Sequence, residues 1–210
     1  MNHLATSKED ILAASRDLIK ENGWAAVSIR AVASRCSVSA GTIYNYYESK
    51  ADLLSDTIES IWHEIFFHPE DEQIFHDVET CISWIYERLE YGNRQFPGFF
   101  SLHSFGFMRD EKTSGKKRMM KTWGHILNGL CEVLGNDPKV RADVFDQEFT
   151  EKKFADILFS LILVSMIRQD YDPSSVLMLV KKTLYENFPT IVVGNFLNEN
   201  EQCSCTHSYV

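Results

Sequence analysis

Residues 36–47 read CSVSAGTIYNYY, and this stretch decides the fold. The hydroxyl of Ser39 can accept a backbone hydrogen bond as a helix N-cap, which predicts a short helix from Ala40 to about Tyr46. This helix is too short and too polar to form part of a core. The small residues Ala40 and Gly41 would let its backbone approach another surface closely, and its tyrosines carry hydroxyl groups on rigid rings.

Two more helices are predicted before this segment. Ser28 can cap a second short helix, whose apolar residues share one face. A longer first helix follows a capping box formed by Thr6 and Glu9, and it ends at Asn22-Gly23. Two short helices that are joined by the turn Ser37-Val38-Ser39 and packed on a longer helix form a helix-turn-helix.

The residues around this unit are suited to contact with DNA. In a helix-turn-helix, the second helix places its N-terminal residues against base edges in the major groove. A fourth helix opens at Ser49, with Asp52 in the capping-box position and Lys50 in the first turn. Backbone N–H groups and a cation at that helix start can meet a phosphate. The pattern therefore predicts a DNA-binding head.

The run from Ile11 to Leu54, ILAASRDLIKENGWAAVSIRAVASRCSVSAGTIYNYYESKADLL, resembles the TetR family of bacterial transcriptional regulators. The matching pieces are a first helix ending at Gly23, then SIRAVA, VSAGTIY and YESKADLL in that order. Tyr47 departs from the family pattern, in which phenylalanine is usual at this position. The resemblance covers about a quarter of the chain.

The resemblance implies a homodimer whose subunits each have a DNA-binding head and a helical body. The body would dimerise and hold an unknown small-molecule effector, which changes the spacing of the heads and releases a repressor from its double-stranded operator DNA. The family positions that would face DNA are Ser28, Arg30, Ser39, Ala40, Gly41, Thr42, Tyr44, Asn45, Tyr46 and Lys50.

The remainder of the chain also has helical periodicity, and no stretch has the alternation of a strand. Further helices are predicted at about 72–91, 114–134 and 149–169, and Asp172-Pro173 opens a last one. The fold class is therefore all-α, with an N-terminal three-helix head that contains the helix-turn-helix and a C-terminal helical regulatory and dimerisation body.

We expect the chain to divide into three parts. Residues 1–50 form the DNA-binding domain, residues 51–190 form the helical ligand-binding and dimerisation domain, and residues 191–210 form a disordered polar tail. Charge supports the first boundary. The net charge is −9, yet residues 1–50 hold six Lys and Arg residues against five Asp and Glu residues. A small basic face on the head is compatible with this balance.

Other classes of protein are disfavoured by what the sequence lacks. There is no phosphate loop, nucleophile elbow or HExxH motif, so we expect no enzyme and no cofactor. The five cysteines suggest no disulfide framework, and no signal-peptide pattern is present, which favours the cytoplasm. Cys203, Cys205 and His207 are a weak metal-binding pattern on the polar tail, and we expect no metal there.

Aromatic residues between positions 84 and 123 suggest a ligand pocket. The residues predicted to line it are Trp84, Phe99, Phe100, His103, Phe107 and Trp123. We expect Gly98, Gly106 and Gly124 to interrupt the helices around it, and an apolar or aromatic ligand that is neutral or cationic. Ordinary core packing is the alternative interpretation of these residues.

The last two helices are apolar over wide faces, and the resemblance predicts that they pair with those of a second subunit. The residues in question are Phe154, Ile157, Leu158, Leu161, Ile162, Val176, Leu177, Val180 and Leu184. A monomer core is the alternative. At the level of function, the alternative to a ligand-released repressor is a ligand-independent DNA-binding factor whose body recruits a protein partner.

Overall fold

The computed structural model describes residues 6–66, 76–100 and 114–186, and every regular element in these residues is helical. A 3-10 turn, Trp24–Ala26, follows the first helix, and a π-helical turn, Lys181–Tyr185, continues the last. The helices are α1 (Lys8–Asn22), α2 (Ile29–Arg35), α3 (Ala40–Tyr44), α4 (Lys50–Phe66), α5 (Val78–Gln95), α6 (Ser114–Asn136), α7 (Glu151–Arg168) and α8 (Ser174–Val180).

The first helix begins one residue later than its sequence pattern predicts. Ser7, and not Thr6, is the N-cap: its Oγ accepts from the N–H of Asp10 at 3.1 Å, and its own N–H donates to Asp10 Oδ2 at 2.8 Å. The pair Thr6 and Glu9 has the same spacing, so the sequence offers two overlapping capping boxes and only one is used. The helix ends at Gly23, whose φ of 76° requires the conformational freedom of glycine.

The three helix starts that position α3 are confirmed. Ser28 Oγ accepts from the N–H of Ala31 at 3.1 Å, and Ser39 Oγ accepts from the N–H of Thr42 at 3.2 Å. Ser49 Oγ accepts from the N–H of Asp52 at 3.2 Å and donates its proton to the Asp52 carboxylate at 2.7 Å. Each hydroxyl satisfies a backbone donor that helix geometry leaves unpaired.

Helix α4 joins the head to the body. It packs on α1, α5 and α6, with Leu53, Ile61 and Ile65 fully buried. Gly92 of α5 makes a close approach possible, because a Cβ there would lie 2.6 Å from Cδ1 of Ile65. The two helices therefore meet with the glycine backbone against an isoleucine side chain.

Several body helices have bounds that differ from their predicted ones. Helix α5 begins at Val78, since Asp77 caps it by accepting from the N–H of Thr80 at 2.8 Å, and it continues to Gln95. The prediction that Gly124 interrupts a helix is wrong, because it lies inside the continuous helix α6. Helix α8 begins after Pro173, one residue later than predicted, and Asp172 accepts from the N–H of Ser174 at 2.9 Å.

Asp137 holds three parts of the body together. It is buried after the end of α6, and its carboxylate accepts from the N–H of Val78 at 3.0 Å, the N–H of Lys139 at 2.8 Å and the hydroxyl of Tyr185 at 2.6 Å. Burial, followed by this hydrogen bond, raises the pKa of the Tyr185 hydroxyl. The start of α5, the end of α6 and the turn after α8 are thus fixed to one carboxylate, which we call the Asp137 clasp.

Candidate nucleic-acid interface

Helix α3 is held to the head by Ile43, which is fully buried. An α-helix turns by about 100° per residue, so Gly41 and Asn45 lie at about 160° and 200° from Ile43, on the opposite side. Asn45 is exposed and Tyr44 beside it is 55% exposed. The outward face of α3 therefore carries a glycine, an amide and an aromatic ring.

The turn before α3 contains a backbone conformation that is unfavourable for its residue. Ser37 has a φ of 56°, in the left-handed region that favours glycine. Its N–H donates to the Ser34 carbonyl at 3.1 Å, and the N–H of Val38 donates to the Ala33 carbonyl at 2.9 Å. These bonds close the turn tightly enough to bring α3 across α2.

Most cations of the head are bound to acids. Lys8 is 2.6 Å from Asp56, and Arg16 and Lys20 lie 3.0 Å and 2.7 Å from Glu64. Arg35 pairs with both carboxylate oxygens of Glu21 and lies 3.8 Å from Asp17. The Arg35 guanidinium holds the pKa of the Glu21 carboxyl below its ordinary value, and the carboxylate raises the pKa of Arg35.

Arg30 and Lys50 differ from these four, since neither forms an ion pair with any described residue and both are exposed. Arg30 lies in the first turn of α2, and Lys50 is the first residue of α4. Both are therefore cations at helix starts, where the backbone also presents N–H groups to an anion. Among residues 6–50 they are the Lys and Arg side chains without an ion pair, and they lie on the elements that flank α3 in sequence.

Several hydroxyls among the predicted DNA-facing residues have partners inside the protein. Ser28 and Ser39 are N-caps, and the hydroxyls of Ser39 and Thr42 are hydrogen-bonded to each other at 3.0 Å. The Tyr46 hydroxyl donates to the carbonyl of Thr6 at 2.5 Å. Direct contact between these four residues and DNA stays a prediction.

Tyr47 stands where the family pattern has phenylalanine, and its side chain is buried. The ammonium group of Lys8 lies 5.6 Å from the centre of its ring. Tyr47 lies just beyond the end of α3, and its N–H donates to the carbonyl of Ile43 at 3.0 Å, so its ring extends the apolar contact that Ile43 makes with the head. The substitution therefore keeps the aromatic packing of this position.

Comparison with known proteins supports the assignment of this head. Residues 11–57 match the family described as "Bacterial regulatory proteins, tetR family". Over these residues the head is similar to that family. The HTH-type transcriptional regulator UidR of Escherichia coli K12 is 38% identical to the chain over 48 residues, which are 23% of this chain and 24% of UidR. The match thus spans about a quarter of the length of that curated relative.

Solved structures resemble the chain over a much greater length. NalD of Pseudomonas aeruginosa, a secondary repressor of the MexAB-OprM efflux pump, is 15% identical, with 87% of this chain and 97% of that chain aligned and a TM-score of 0.55. Salmonella enterica GusR is 17% identical, with 87% and 99% aligned and a TM-score of 0.55. FadR of Bacillus subtilis, solved with stearoyl-CoA, is 18% identical, with 83% and 97% aligned and a TM-score of 0.51. At these identities the likeness establishes the fold.

Four of the six predicted ligand residues lie in the described part of the body, and His103 and Phe107 lie outside it. Phe99 and Phe100 are 3% and 1% exposed, with ring centroids 5.1 Å apart. Both rings pack edge-on against Trp62 of α4, at 5.6 Å and 5.7 Å. These two residues therefore form dense aromatic packing at the end of α5.

Trp84 and Trp123 are half-buried and pack against other rings. Trp84 meets Phe66 edge-on at 5.8 Å, and Phe66 in turn stacks on Trp62 at 5.4 Å. Trp123 meets Phe159 of α7 edge-on at 5.8 Å. Trp84 thus joins the aromatic cluster around Trp62, whereas the ring contact of Trp123 is between α6 and α7. A role of these residues in ligand binding stays a prediction.

Residues 96–100, FPGFF, also contact the head. The ring of Phe99 lies 6.1 Å from that of Trp24, in the turn after α1, and the ammonium of Lys20 lies 4.9 Å from the ring centre of Phe96. Sequence reasoning did not assign Trp24 or Trp62 a role, although their aromatic character was a usable signal. The FPGFF segment is a second connection between head and body besides α4.

A polar contact reinforces this junction at the end of α4. Arg88 of α5 donates from Nε to the carbonyl of Ile65 and from Nη2 to that of Glu64 at 3.3 Å. The Glu64 carboxylate binds Arg16 and Lys20 of α1. The C-terminal end of α4 is therefore held by α5 through its backbone and by α1 through a side chain.

Helices α7 and α8 leave apolar side chains exposed. Most residues of the predicted dimer surface are buried within the subunit, namely Phe154, Leu158, Ile162, Val176, Val180 and Leu184. The exposed apolar side chains are Ile157 (44%), Val164 (45%), Ile167 (49%), Met178 (58%) and Leu179 (37%). Ile157, Val164 and Ile167 recur at intervals of seven and three residues, so they share one face of α7.

Two other properties of the described residues bear on the choice of function. No helix in this part of the chain is both long and apolar enough to cross a bilayer. Residues 6–66, 76–100 and 114–186 also contain no group of three or more His, Cys, Asp or Glu side chains that could hold a metal. The weak pattern Cys203, Cys205 and His207 lies outside these ranges.

Proposed function

We propose that this protein is a sequence-specific transcriptional repressor that binds operator DNA through its TetR-family head. The observation that carries the proposal is the pair of unpaired cations, Arg30 and Lys50, at the helix starts on either side of α3 in sequence. The other four cations of the head are neutralised by neighbouring acids, so the free positive charge is concentrated where phosphates would flank a recognition helix.

The experiment that tests this proposal is selection from a pool of random DNA duplexes with the full-length protein. We expect enrichment of one sequence, with binding that weakens steeply as salt is raised because counterions are released from the phosphates. If no duplex is enriched at either low or moderate salt, the proposal is contradicted. A palindromic enriched sequence would further support binding by a dimer, since half-sites mirror the symmetry of the protein.

The proposal includes a homodimer formed through α7 and α8, located in the cytoplasm with its operator. The exposed stripe of Ile157, Val164 and Ile167, together with Met178 and Leu179, is apolar surface that a partner helix pair would cover. Residues 51–190 would then be the dimerisation and regulatory domain and residues 1–50 the DNA-binding domain.

Release by a small ligand is the regulatory part of the proposal. The predicted ligand residues Phe99 and Phe100 pack on Trp62, and Phe99 also contacts Trp24 of the head. A ligand that displaced these rings would therefore act directly on the head. Native mass spectrometry of the purified protein tests this, because a bound small molecule adds its mass to that of the subunit.

The close packing of Phe99 and Phe100 favours a second candidate function. Both side chains are almost fully buried among other rings, which suits a body without an effector pocket at this place. The protein would then bind DNA independently of ligand and recruit a protein partner. A library of apolar and aromatic compounds that shifts neither the unfolding temperature nor DNA affinity would favour this alternative.

A further inference from the structure

The outward face of α3 has an unusual composition for a helix that reads bases. From Ser39 to Tyr47 the sequence is SAGTIYNYY, which contains no Arg, Lys, Asp or Glu. In the major groove, Arg and Lys are the usual partners of guanine, and Asp and Glu accept from cytosine. The charged side chains that most often read G·C pairs are therefore absent from this segment.

Among the polar side chains of this segment, most have partners within the protein. The hydroxyls of Ser39 and Thr42 bond to each other at 3.0 Å, and the hydroxyl of Tyr46 donates to the Thr6 carbonyl. The amide of Asn45 makes no hydrogen bond with any described residue and is exposed. The amide of asparagine carries its donor and its acceptor on two different atoms, so it can bond to two neighbouring atoms of a base at once. A hydroxyl group has both functions on one oxygen.

The position of Asn45 suits a short side chain that must reach a base edge. It lies about 200° around α3 from the buried Ile43, so it points away from the head. Gly41 precedes it by one turn on the same face, and apart from the Ser39 hydroxyl at 3.5 Å a Cβ there would meet nothing within 4 Å. Because Gly41 has no side chain, the backbone of α3 can approach the floor of the groove in front of Asn45.

We infer that Asn45 is the specificity-determining residue of the head and that it reads adenine through N6 and N7, so that the base pair facing it beneath α3 is A·T. The amide oxygen accepts from the adenine amino group and the amide nitrogen donates to N7. Ala40, at the start of the helix, supplies the apolar contact that suits a thymine methyl group. This inference rests on the proposed function, since it names the sequence class that the DNA-binding head recognises.

The first test uses the unaltered full-length protein and the duplex that it enriches. Replacing single adenines by 7-deazaadenine removes the N7 acceptor and leaves the Watson–Crick edge intact. We expect one adenine in each half-site at which the replacement weakens binding several-fold, and little effect at adenines outside the segment beneath α3. Equal affinity for every 7-deaza duplex would overturn the inference.

The second test repeats the selection with Asn45→Ala, Asn45→Arg and the control Asn22→Ala. Asn45 has a helical backbone conformation, Asn22 is the last residue of α1 and both side chains are exposed, so all three changes are compatible with the fold. We expect Asn45→Ala to lose a preference of about 5- to 150-fold at one A·T position per half-site, and Asn45→Arg to change that preference to G·C. Asn22→Ala makes the same truncation on the head, at the end of α1, and should keep the parent's preferences.

The outcomes separate this inference from the proposed function. If the parent enriches a sequence and Asn45→Ala keeps every preference, Asn45 does not read it, and the inference fails while the DNA-binding function stands. If the parent enriches a sequence that has G·C at the position affected by Asn45→Ala, the base assignment is wrong. If the parent enriches no duplex, the proposed function fails and this inference fails with it.

Discussion

Trp24 in the head and Phe99 in the body are in aromatic contact, with ring centroids 6.1 Å apart. Between them in sequence lie α2, α3, α4 and α5, so the contact links the turn after α1 to the segment that follows α5. The head is thus fixed to the body through α4, which continues from it and also packs on α1, and through the FPGFF segment. Its orientation depends on the packing of both.

We expect a double-mutant cycle to detect this link. Trp24→Ala and Phe99→Ala should each lower the free energy of unfolding, and their effects should be coupled by about 0.5–1.5 kcal/mol, because either change alone already abolishes the interaction between the two rings. Urea unfolding of the four proteins measures the coupling. Trp24→Ala with Phe149→Ala is the control, since Phe149 packs on Phe145 and Phe154, and strict additivity in both cycles would contradict the link.

The free cations of the head give a prediction about salt. Arg30→Ala and Lys50→Ala should weaken binding to all duplexes. Each should reduce the slope of log affinity against log salt by about 0.9 for every phosphate that the cation neutralises, hence by about twice that in a dimer. Lys152→Ala is the matched control, because Lys152 is exposed on α7 and forms no ion pair among the described residues. A slope unchanged by Lys50→Ala would contradict the phosphate contact.

The turn before α3 gives a prediction about stability. Ser37→Gly should raise the free energy of unfolding by up to about 1 kcal/mol, because φ at 56° is unfavourable for a residue with a Cβ. Ser34→Gly is the control, and its effect should have the opposite sign. Ser34 is exposed inside α2, where glycine should lower the free energy of unfolding by roughly 0.5 kcal/mol. The midpoints of thermal unfolding should move in opposite directions, and a lower midpoint for Ser37→Gly would show that the turn needs its serine.

The exposed face of α7 gives a prediction about assembly. Val164→Asp and Ile157→Asp should shift the protein towards monomer without unfolding it, because an unpaired charge buried at an interface costs several kcal/mol. Tyr44→Asp places the same charge on an equally exposed apolar residue of the head and should leave the dimer intact. Sedimentation measures the change, and a concentration-independent monomer for the unaltered protein would end the dimer proposal. Leu184→Asp is not a test of assembly, since Leu184 is fully buried within its own subunit and the charge would unfold it.

The helix starts could be predicted where one polar residue has no competitor. Ser28, Ser39 and Ser49 each precede a helical pattern and each serves as the predicted cap. The predicted start of α1 was wrong by one residue because Ser7 and Asp10 repeat the spacing of Thr6 and Glu9. A capping pattern therefore identifies the first residue of a helix only when no second capping pattern lies within the same turn.

The hydrogen-bond and ion-pair partners of individual side chains could not be predicted in the same way. The spacing of the sequence does not say that the Thr42 hydroxyl bonds to Ser39, or that Arg35 pairs with Glu21 while Arg30 pairs with nothing described. Those outcomes depend on the distances between helices α1, α2 and α3. Which apolar residues of α7 and α8 are exposed could not be predicted for the same reason, because a residue such as Leu184 looks alike in sequence whether it faces its own core or a partner.

The Asp137 clasp has a consequence for the order in which a nascent chain becomes structured. The helices of the head are complete once residue 66 has been made, whereas Asp137 receives the Val78 N–H from 59 residues upstream and the Tyr185 hydroxyl from 48 residues downstream. At a synthesis rate of about 5–20 residues per second, roughly 6–24 s separate the two events. During that interval the nascent chain carries a complete set of head helices, whereas the apolar surfaces of its body helices are not yet packed together. This is the stage at which chaperones would bind the chain.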